Sequence, residues 1–323
     1  MRQHLFFGLL VLLLLLLVPL LSLAWRVPVE PEQPQPQTTQ AQPPAQQDSD
    51  RTIQVLRQAT GEVETIRLEE YLIGVVAAEM PALFHEQALM AQAVAAYTFT
   101  RYRLEVGGAN TISDAWENDQ GYLSPEQRRE RWGASFAQHE ATITHAVREV
   151  YGYSLQHNSL PIFAAYHAMS AGQTENAGDY WGRDLPFLRS VESPGCRLAP
   201  NFEVTTTFSL TEIRQALGEL PGVSLTGEPA TWFGTPIRTQ AGTVAQIPVG
   251  GENLTGRQLR QALGLRSSNF SVAFTDGEFR ITTQGFGHGV GMSQTGADHM
   301  AQQGSTWREI LMHYYQGAEL VNA

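Results

Sequence analysis

Gln284-Gly285-Phe286-Gly287-His288-Gly289-Val290-Gly291-Met292-Ser293-Gln294 carries a glycine at every second position from 285 to 291. Alternation of this kind leaves backbone amides uncovered and lets a bulky ligand come close. His288, Ser293 and Gln294 add polar groups at the mouth of a helix expected over about 293–303. Neither G-x-G-x-x-G nor G-K-[ST] occurs in the stretch, so it does not read as a phosphate loop. Two readings stand side by side: a ligand-holding loop, and a structural glycine turn with a hydrogen-bonded histidine.

Upstream of this stretch, segments 270–275 and 278–283 flank Asp276-Gly277, a strong hairpin signal. Downstream, Thr306 and Glu309 open a last helix that Gly317 closes. Ser209 with Glu212 makes a capping box, Thr255 and Gln258 cap another short helix, and short strands are expected within 231–251. Toward the N-terminus, 52–68 reads as a hairpin turning at Thr60-Gly61. A helix over 69–80 stops before Pro81, because the residue before proline avoids helical geometry. An Ala-rich helix follows over about 86–104, then a loop (107–122). Residues 125–150 read as helical with a break near Gly133, and 151–168 as two strands turning at Asn158-Ser159. Segment 171–200 is loop-rich. Helices and hairpins mix without βαβ regularity, so the class is α+β, a body of helices and antiparallel hairpins.

Two further stretches could carry chemistry. In Val75-Val76-Ala77-Ala78-Glu79-Met80-Pro81 a carboxylate sits in an apolar run at the end of a helix. Desolvation and the negative end of the helix dipole both favour its protonated form, as a general acid requires. The plainer alternative is a helix-end glutamate facing water. Tyr166-His167-Ala168-Met169-Ser170-Ala171-Gly172-Gln173-Thr174 is a polar, small-residue loop after a strand. It either lines a cleft or is simply hydrogen-bonded. Ser170 is not in a nucleophile elbow, since G-x-S-x-G is absent. No H-E-x-x-H occurs, and the single Cys196 excludes an internal disulfide and a multi-cysteine zinc site.

The chain has 323 residues, 42% apolar and 16% charged, with a net charge of −11, and every basic residue is arginine. That composition excludes a wholly disordered chain, and the acidic balance argues against a nucleic-acid partner. Residues 5–25 are almost continuously apolar, and roughly 20 such residues span a bilayer. Arg2 precedes the run, and Glu30 and Glu32 soon dilute Arg26, so the body is expected outside the cytoplasm. Residues 1–25 are either a transmembrane anchor or a signal peptide cut after Ala24, since Ser22-Leu23-Ala24 has the small-x-small pattern. Residues 26–50, rich in Pro and Gln, read as a disordered tether. The folded body is expected over 51–323.

Taken together, these segments resemble the SpoIID/LytB family, the stage II sporulation protein D and amidase-enhancer group. The match runs in order through 75–81 with Ala91-Gln92-Ala93-Val94-Ala95-Ala96, then 166–174, 186–191, 254–270, and 285–297 continuing to Ile310-Leu311-Met312-His313-Tyr314-Tyr315. The resemblance implies a SpoIID-like body forming a cleft. It also implies a peptidoglycan lytic transglycosylase that cuts the MurNAc–GlcNAc bond of glycan strands and leaves a 1,6-anhydro sugar. Sporulation members prefer strands stripped of stem peptides.

The catalytic role falls by resemblance to Glu79. Substrate contacts are expected from His167, Ser170, Thr174, His288, Ser293 and Gln294. The family often has Lys at the position of Met90 and Arg at that of Tyr97; Arg101, one helical turn beyond Tyr97, is the expected substitute. The family's occasional zinc cluster falls near 114–122, where this chain has neither Cys nor His, so no metal and no cofactor are expected. Expected partners are peptidoglycan, a cell-wall amidase, and the membrane through the N-terminal run. The alternative reading is a non-catalytic wall-binding activator of an amidase, which Met90 and Tyr97 favour.

Overall fold

The computed structural model describes residues 51–322; the anchor and tether expected over 1–50 lie outside the described residues. Among the described residues no helix is long and apolar enough to cross a membrane.

The body opens with β1 (Thr52–Leu56) and β2 (Val63–Arg67), an antiparallel hairpin whose turn places Gly61 at φ +75°. Helix α1 (Leu68–Glu79) follows directly and ends where Met80 turns extended before Pro81. Helix α2 (Glu86–Arg101) buries every residue from Ala88 to Thr100. Alanine on most faces lets neighbours approach from all sides, the pattern of a helix at the centre of a core. Two threonines inside it are satisfied locally: Thr98 and Thr100 donate to Val94 O and Ala96 O, and Thr98 Oγ1 also accepts the Leu155 N–H. One π-helical turn (Tyr102–Val106) ends α2.

The loop beyond contains β3 (Ile112–Ser113), which pairs in parallel with β1. Helices α3 (Pro125–Trp132) and α4 (Phe136–Glu149) are separated by the expected break at Gly133. Strands β4 (Tyr153–His157) and β5 (Leu160–Pro161) turn at Asn158 and Ser159, both at positive φ. Strand β6 (Tyr166–His167) and helix α5 (Ala177–Trp181) complete this part.

Residues 203–284 form a second lobe with its own apolar core, built around Trp232, Leu259, Phe279 and Ile281. In it β7 (Glu203–Phe208) and α6 (Leu210–Leu217) precede β8 (Ile237–Arg238), β9 (Val244–Val249) and β10 (Glu252–Leu254). Helix α7 (Gly256–Leu263) and the hairpin of β11 (Phe270–Thr275) and β12 (Glu278–Gln284) follow. The chain then returns to the main core through β13 (Met292–Ser293), α8 (Gln294–Gln302), α9 (Trp307–Tyr314) and β14 (Glu319–Asn322).

The α+β class stands. Beyond the short β3 and β13, two further strands were not expected from the sequence. One is β7, which adds antiparallel to β12; the other is β14, which adds antiparallel to β4. Each is defined by a partner distant in sequence. The sheets are also not purely antiparallel, because β6 pairs in parallel with β13 across more than a hundred residues.

Candidate active site

Glu79 is the last residue of α1, so its carboxyl sits at the negative end of that helix. It is half-buried. Its Oε1 accepts the Gly121 N–H at 2.8 Å, and the Gln294 side chain donates a second hydrogen bond. Burial pushes the carboxyl above the ordinary glutamate range, and the two hydrogen bonds offset only part of that rise. The group is therefore neither a solvent-facing helix-end glutamate nor an ion-paired one; two neutral donors fix it.

Gly121 fits here because it carries no side chain: a Cβ would lie 3.2 Å from Glu79 Oε1 and 3.3 Å from Ala78 Cβ. Its loop is held on both sides. Asp119 accepts the Ser113 N–H at 2.8 Å and pairs with Arg103. Gln120 is buried; its amide donates to Thr100 Oγ1 (3.0 Å) and Tyr71 Oη (3.3 Å), and its oxygen accepts from Tyr166 Oη at 2.8 Å. Gln294 Nε2 also reaches Oε1 of fully buried Gln92 at 3.4 Å, leaving Gln92 Nε2 without a partner among the described residues. Burial raises the Tyr166 phenol well above its ordinary range, and the nearby Glu79 charge adds to the rise.

The glycine-rich stretch is a structural turn and a site-builder at once. Its four alternating glycines all have positive φ, from +73° to +112°. A Cβ at Gly291 would lie 2.0 Å from Ala165 O, and one at Gly287 2.8 Å from His167 Cβ. The stretch thus runs hard against segment 165–175, with Met169 and Phe286 exchanging backbone hydrogen bonds and Glu175 N–H donating to Gly289 O. Gln294 is delivered to Glu79 by this close packing.

Both histidines clamp the backbone of one residue, Val290, from its two sides. His288 Nδ1 accepts the Val290 N–H at 3.1 Å, and His167 Nδ1 donates to Val290 O at 3.1 Å. Each tautomer follows from these roles. Burial lowers His167 to about 4 and His288 well below its ordinary value, so both rings are neutral near pH 7. The His288 ring lies 5.1 Å from Trp181 and 5.5 Å from His167.

The other expected residues fall elsewhere. Ser170 and Ser293 are buried in a hydroxyl–thiol cluster with Cys196, whose sulfur lies 3.3 Å and 3.1 Å from their oxygens. Ser293 also caps α8 by accepting the Gly296 N–H. Thr174 Oγ1 accepts the Val191 N–H at 2.8 Å and so ties two loops together. Arg101 grips Glu105 through two hydrogen bonds and reaches Ser154 at 2.9 Å. The structure thus gathers Gln294 at Glu79 and His167 with His288 at Val290. Gln92, Gln120, Gly121 and Tyr166 escaped sequence reasoning as site residues. Only Gln92 left a signal, as the one polar residue in Ala91-Gln92-Ala93-Val94-Ala95-Ala96.

Helices and hairpins around a helix-end carboxyl and a threaded glycine turn define the class, and the chain belongs to the stage II sporulation protein D family. The family model described as "Stage II sporulation protein" matches residues 57–157. Stage II sporulation protein D of Bacillus amyloliquefaciens is 40% identical over 291 residues, covering 88% of this chain and 83% of that protein. The protein of the same name in Bacillus subtilis (strain 168) is 40% identical over 279 residues, 84% of this chain and 79% of its own length. The amidase enhancer of Bacillus subtilis (strain 168) is 24% identical over 311 residues, with 78% of this chain matched to 40% of that protein.

Proposed function

We propose that the chain is a lytic transglycosylase acting on peptidoglycan, with Glu79 as its single general acid and base. The observation that carries this reading is the Glu79 carboxyl, biased toward its protonated form by burial yet held in place by the Gly121 N–H and the Gln294 amide. Glycoside hydrolases ordinarily use two carboxyl groups, one as acid and one to activate water or capture the sugar. One carboxyl suffices when the sugar's own 6-hydroxyl is the nucleophile. Glu79 gives its proton to the glycosidic oxygen as the bond from that oxygen to the anomeric carbon breaks. The resulting carboxylate, steadied by its two donors, takes the proton of the 6-hydroxyl as that oxygen bonds to the anomeric carbon. The product is a 1,6-anhydro sugar, and no water is consumed. Intramolecular attack gains from proximity.

In this reading the glycan lies in a cleft over Glu79. Gln294 positions the carboxyl, His167 and His288 hold the turn that carries Gln294, and Ser170, Thr174 and Ser293 hold the loops behind it. Arg101 supports the helix after Tyr97. The body works outside the cytoplasm, exported and anchored or released through residues 1–25 and spaced from the membrane by residues 26–50.

The test is mass spectrometry of glycan digests. The wild-type chain is expected to release 1,6-anhydro products, and Glu79→Gln to release about 10²- to 10⁴-fold less, the usual contribution of a general acid–base group. Equal product from both would end the assignment.

A second reading, a non-catalytic activator of a cell-wall amidase, draws on Met90 and Tyr97. Both are buried in apolar packing, at 6% and 3% exposure, where the resemblance calls for cations. A relative bearing the name amidase enhancer points the same way. Glycan binding without anhydro products, together with stimulation of an amidase, would establish it.

A further inference from the structure

A polar pocket of about 430 Å³ opens in the seam between the main core and the second lobe. Its main-core wall includes Gln173 and Arg197, and its second-lobe wall includes Glu203, Arg238, Asn269 and Gln284. The charges in this lining are two guanidinium groups and one carboxylate. The carboxylate is already engaged, because Glu203 Oε2 accepts from the Gln284 amide at 2.9 Å. Arg238 is braced as part of the wall, donating to Gly242 O at 2.7 Å and Phe270 O at 2.6 Å. Those two bonds leave the rest of its five N–H groups available.

Arg197 differs. It is exposed and has no ion pair or hydrogen bond among the described residues. It makes one close approach to the main chain. The guanidinium lies against Gly172, where a Cβ would come within 2.4 Å of Arg197 Nε, and Gly172 sits at φ +101°, a conformation other residues avoid. A guanidinium lining a polar pocket, with no partner among the described residues, is a ready receptor for a carboxylate.

We propose that this seam pocket is a second ligand site, that it takes a carboxylate carried on a polar, hydrogen-bonding framework, and that Arg197 supplies the charged contact. The identity of the carboxylate rests on the wall-polymer reading above. In peptidoglycan it is either the lactyl group of a peptide-free muramic acid or a carboxylate of a stem peptide. The pocket and Glu79 lie at opposite ends of one segment: Gln284 lines the pocket and Gln294 holds the carboxyl. Ten residues span at most about 36 Å even when fully extended, which bounds the distance between the two sites.

The test uses the full chain carrying Glu79→Gln, so bound strands stay uncut and the result does not depend on whether the wild type cleaves them. Three probes are titrated: peptide-free glycan strands, the same strands with their carboxyl groups converted to methylamides, and the free stem tetrapeptide. Adding Arg197→Ala is expected to weaken one carboxylate probe at least about tenfold, the loss of one charge-assisted hydrogen bond. The methylamide strands should bind both variants alike. An effect on strands assigns the lactyl group; an effect on the tetrapeptide assigns the stem. The proposal is overturned if the two variants bind both carboxylate probes within about twofold. It is also overturned if the methylamide strands lose as much as the free acids, or if the parent binds neither carboxylate probe.

Discussion

The second lobe and the main core are held by different kinds of contact. In the second lobe, α6 and α7 each begin on a complete capping box, and β11 and β12 are joined by the two-residue turn Asp276-Gly277. These caps and this turn are written within a few residues, although β7 joins β12 from about 70–80 residues away. In the main core, α1 begins on Arg67 with no side-chain cap, and the strand pair beside the site joins 166–167 to 292–293. Glu79 is fixed by residues 42 and 215 positions further along the chain, Gly121 and Gln294. The lobe with local signals supplies one wall of the seam pocket, whereas the candidate acid belongs wholly to the region of long-range contacts.

Glycine substitutions should break this contrast most sharply. Gly291 and Gly264 both have positive φ, +73° and +62°. A Cβ on Gly264, at the end of α7, meets nothing within 4 Å, so Gly264→Ala carries conformational strain alone, about 1 kcal/mol. A Cβ on Gly291 would collide with the backbone oxygen of Ala165, which belongs to no flexible side chain. Gly291→Ala is therefore expected to cost about 4 kcal/mol or more, or to prevent folding. Denaturant unfolding of both variants measures the gap; equal losses would mean the threaded turn tolerates displacement.

Core truncation comes next. Ile281 is fully buried in the second lobe, and Ile281→Ala should cost about 2–5 kcal/mol. If the chain cleaves glycan as proposed, cleavage by the surviving folded fraction should keep its rate, because Ile281 belongs to the separate core of the second lobe. A slowed reaction in a fully folded sample would show that the second lobe helps position the acid.

Acid should act on one region before the other. Residues 203–284 contain no histidine, whereas the main core buries His167 and half-buries His288. The unfolded chain protonates His167 near pH 6.5, the folded chain only near pH 4, because burial opposes the charge. The neutral folded ring thus contributes stability that is complete above pH 6.5 and is lost as the pH falls toward about 4. The loss is about 3 kcal/mol, and His288 adds in the same direction. Hydrogen exchange between pH 7 and 4.5 should show amides around Val290 opening locally first, before the most protected amides of both lobes lose protection together. His167→Phe should flatten that dependence; an unchanged slope would remove His167 as its source.

The sequence made the second lobe's turns and caps readable because each depends on neighbours three or four residues apart. Glu79 could be singled out as an acid following Val-Val-Ala-Ala, but the local pattern left open whether or not it faced water, and only the resemblance chose between the two. The donors that fix it were not readable. Gly121 contributes only a backbone N–H, and Gln120 sits in a loop whose pattern says nothing about what packs on it. His288 was readable either as a ligand contact or as the hydrogen-bonded histidine of a structural turn, and its bond to Val290 N–H fits the second; the contact of Ser293 with Cys196 left no signal. Arg101 pointed toward the site only by helical spacing, and the nearer Glu105, four residues on, takes its guanidinium. Strands β7 and β14 were missed for the same reason, each being completed by a partner far along the chain.

The smallest effect asks whether the two regions unfold together. Thr255 caps α7 in the second lobe and Thr306 caps α9 in the main core, each with the same reciprocal pair of hydrogen bonds. Replacing either with alanine removes one cap and should cost about 1 kcal/mol. The seam between the lobes is tied by Thr239 donating to buried Glu175 at 2.6 Å and by Arg260 donating to Tyr180 at 3.2 Å. These ties link the two cores into one cooperative unit. Both variants should therefore shift a single unfolding transition by the same amount, with exchange of the most protected amides rising in both lobes. If Thr255→Ala instead raised exchange only within 203–284, the second lobe would open by itself, and the seam pocket would be a boundary that separates in the native state.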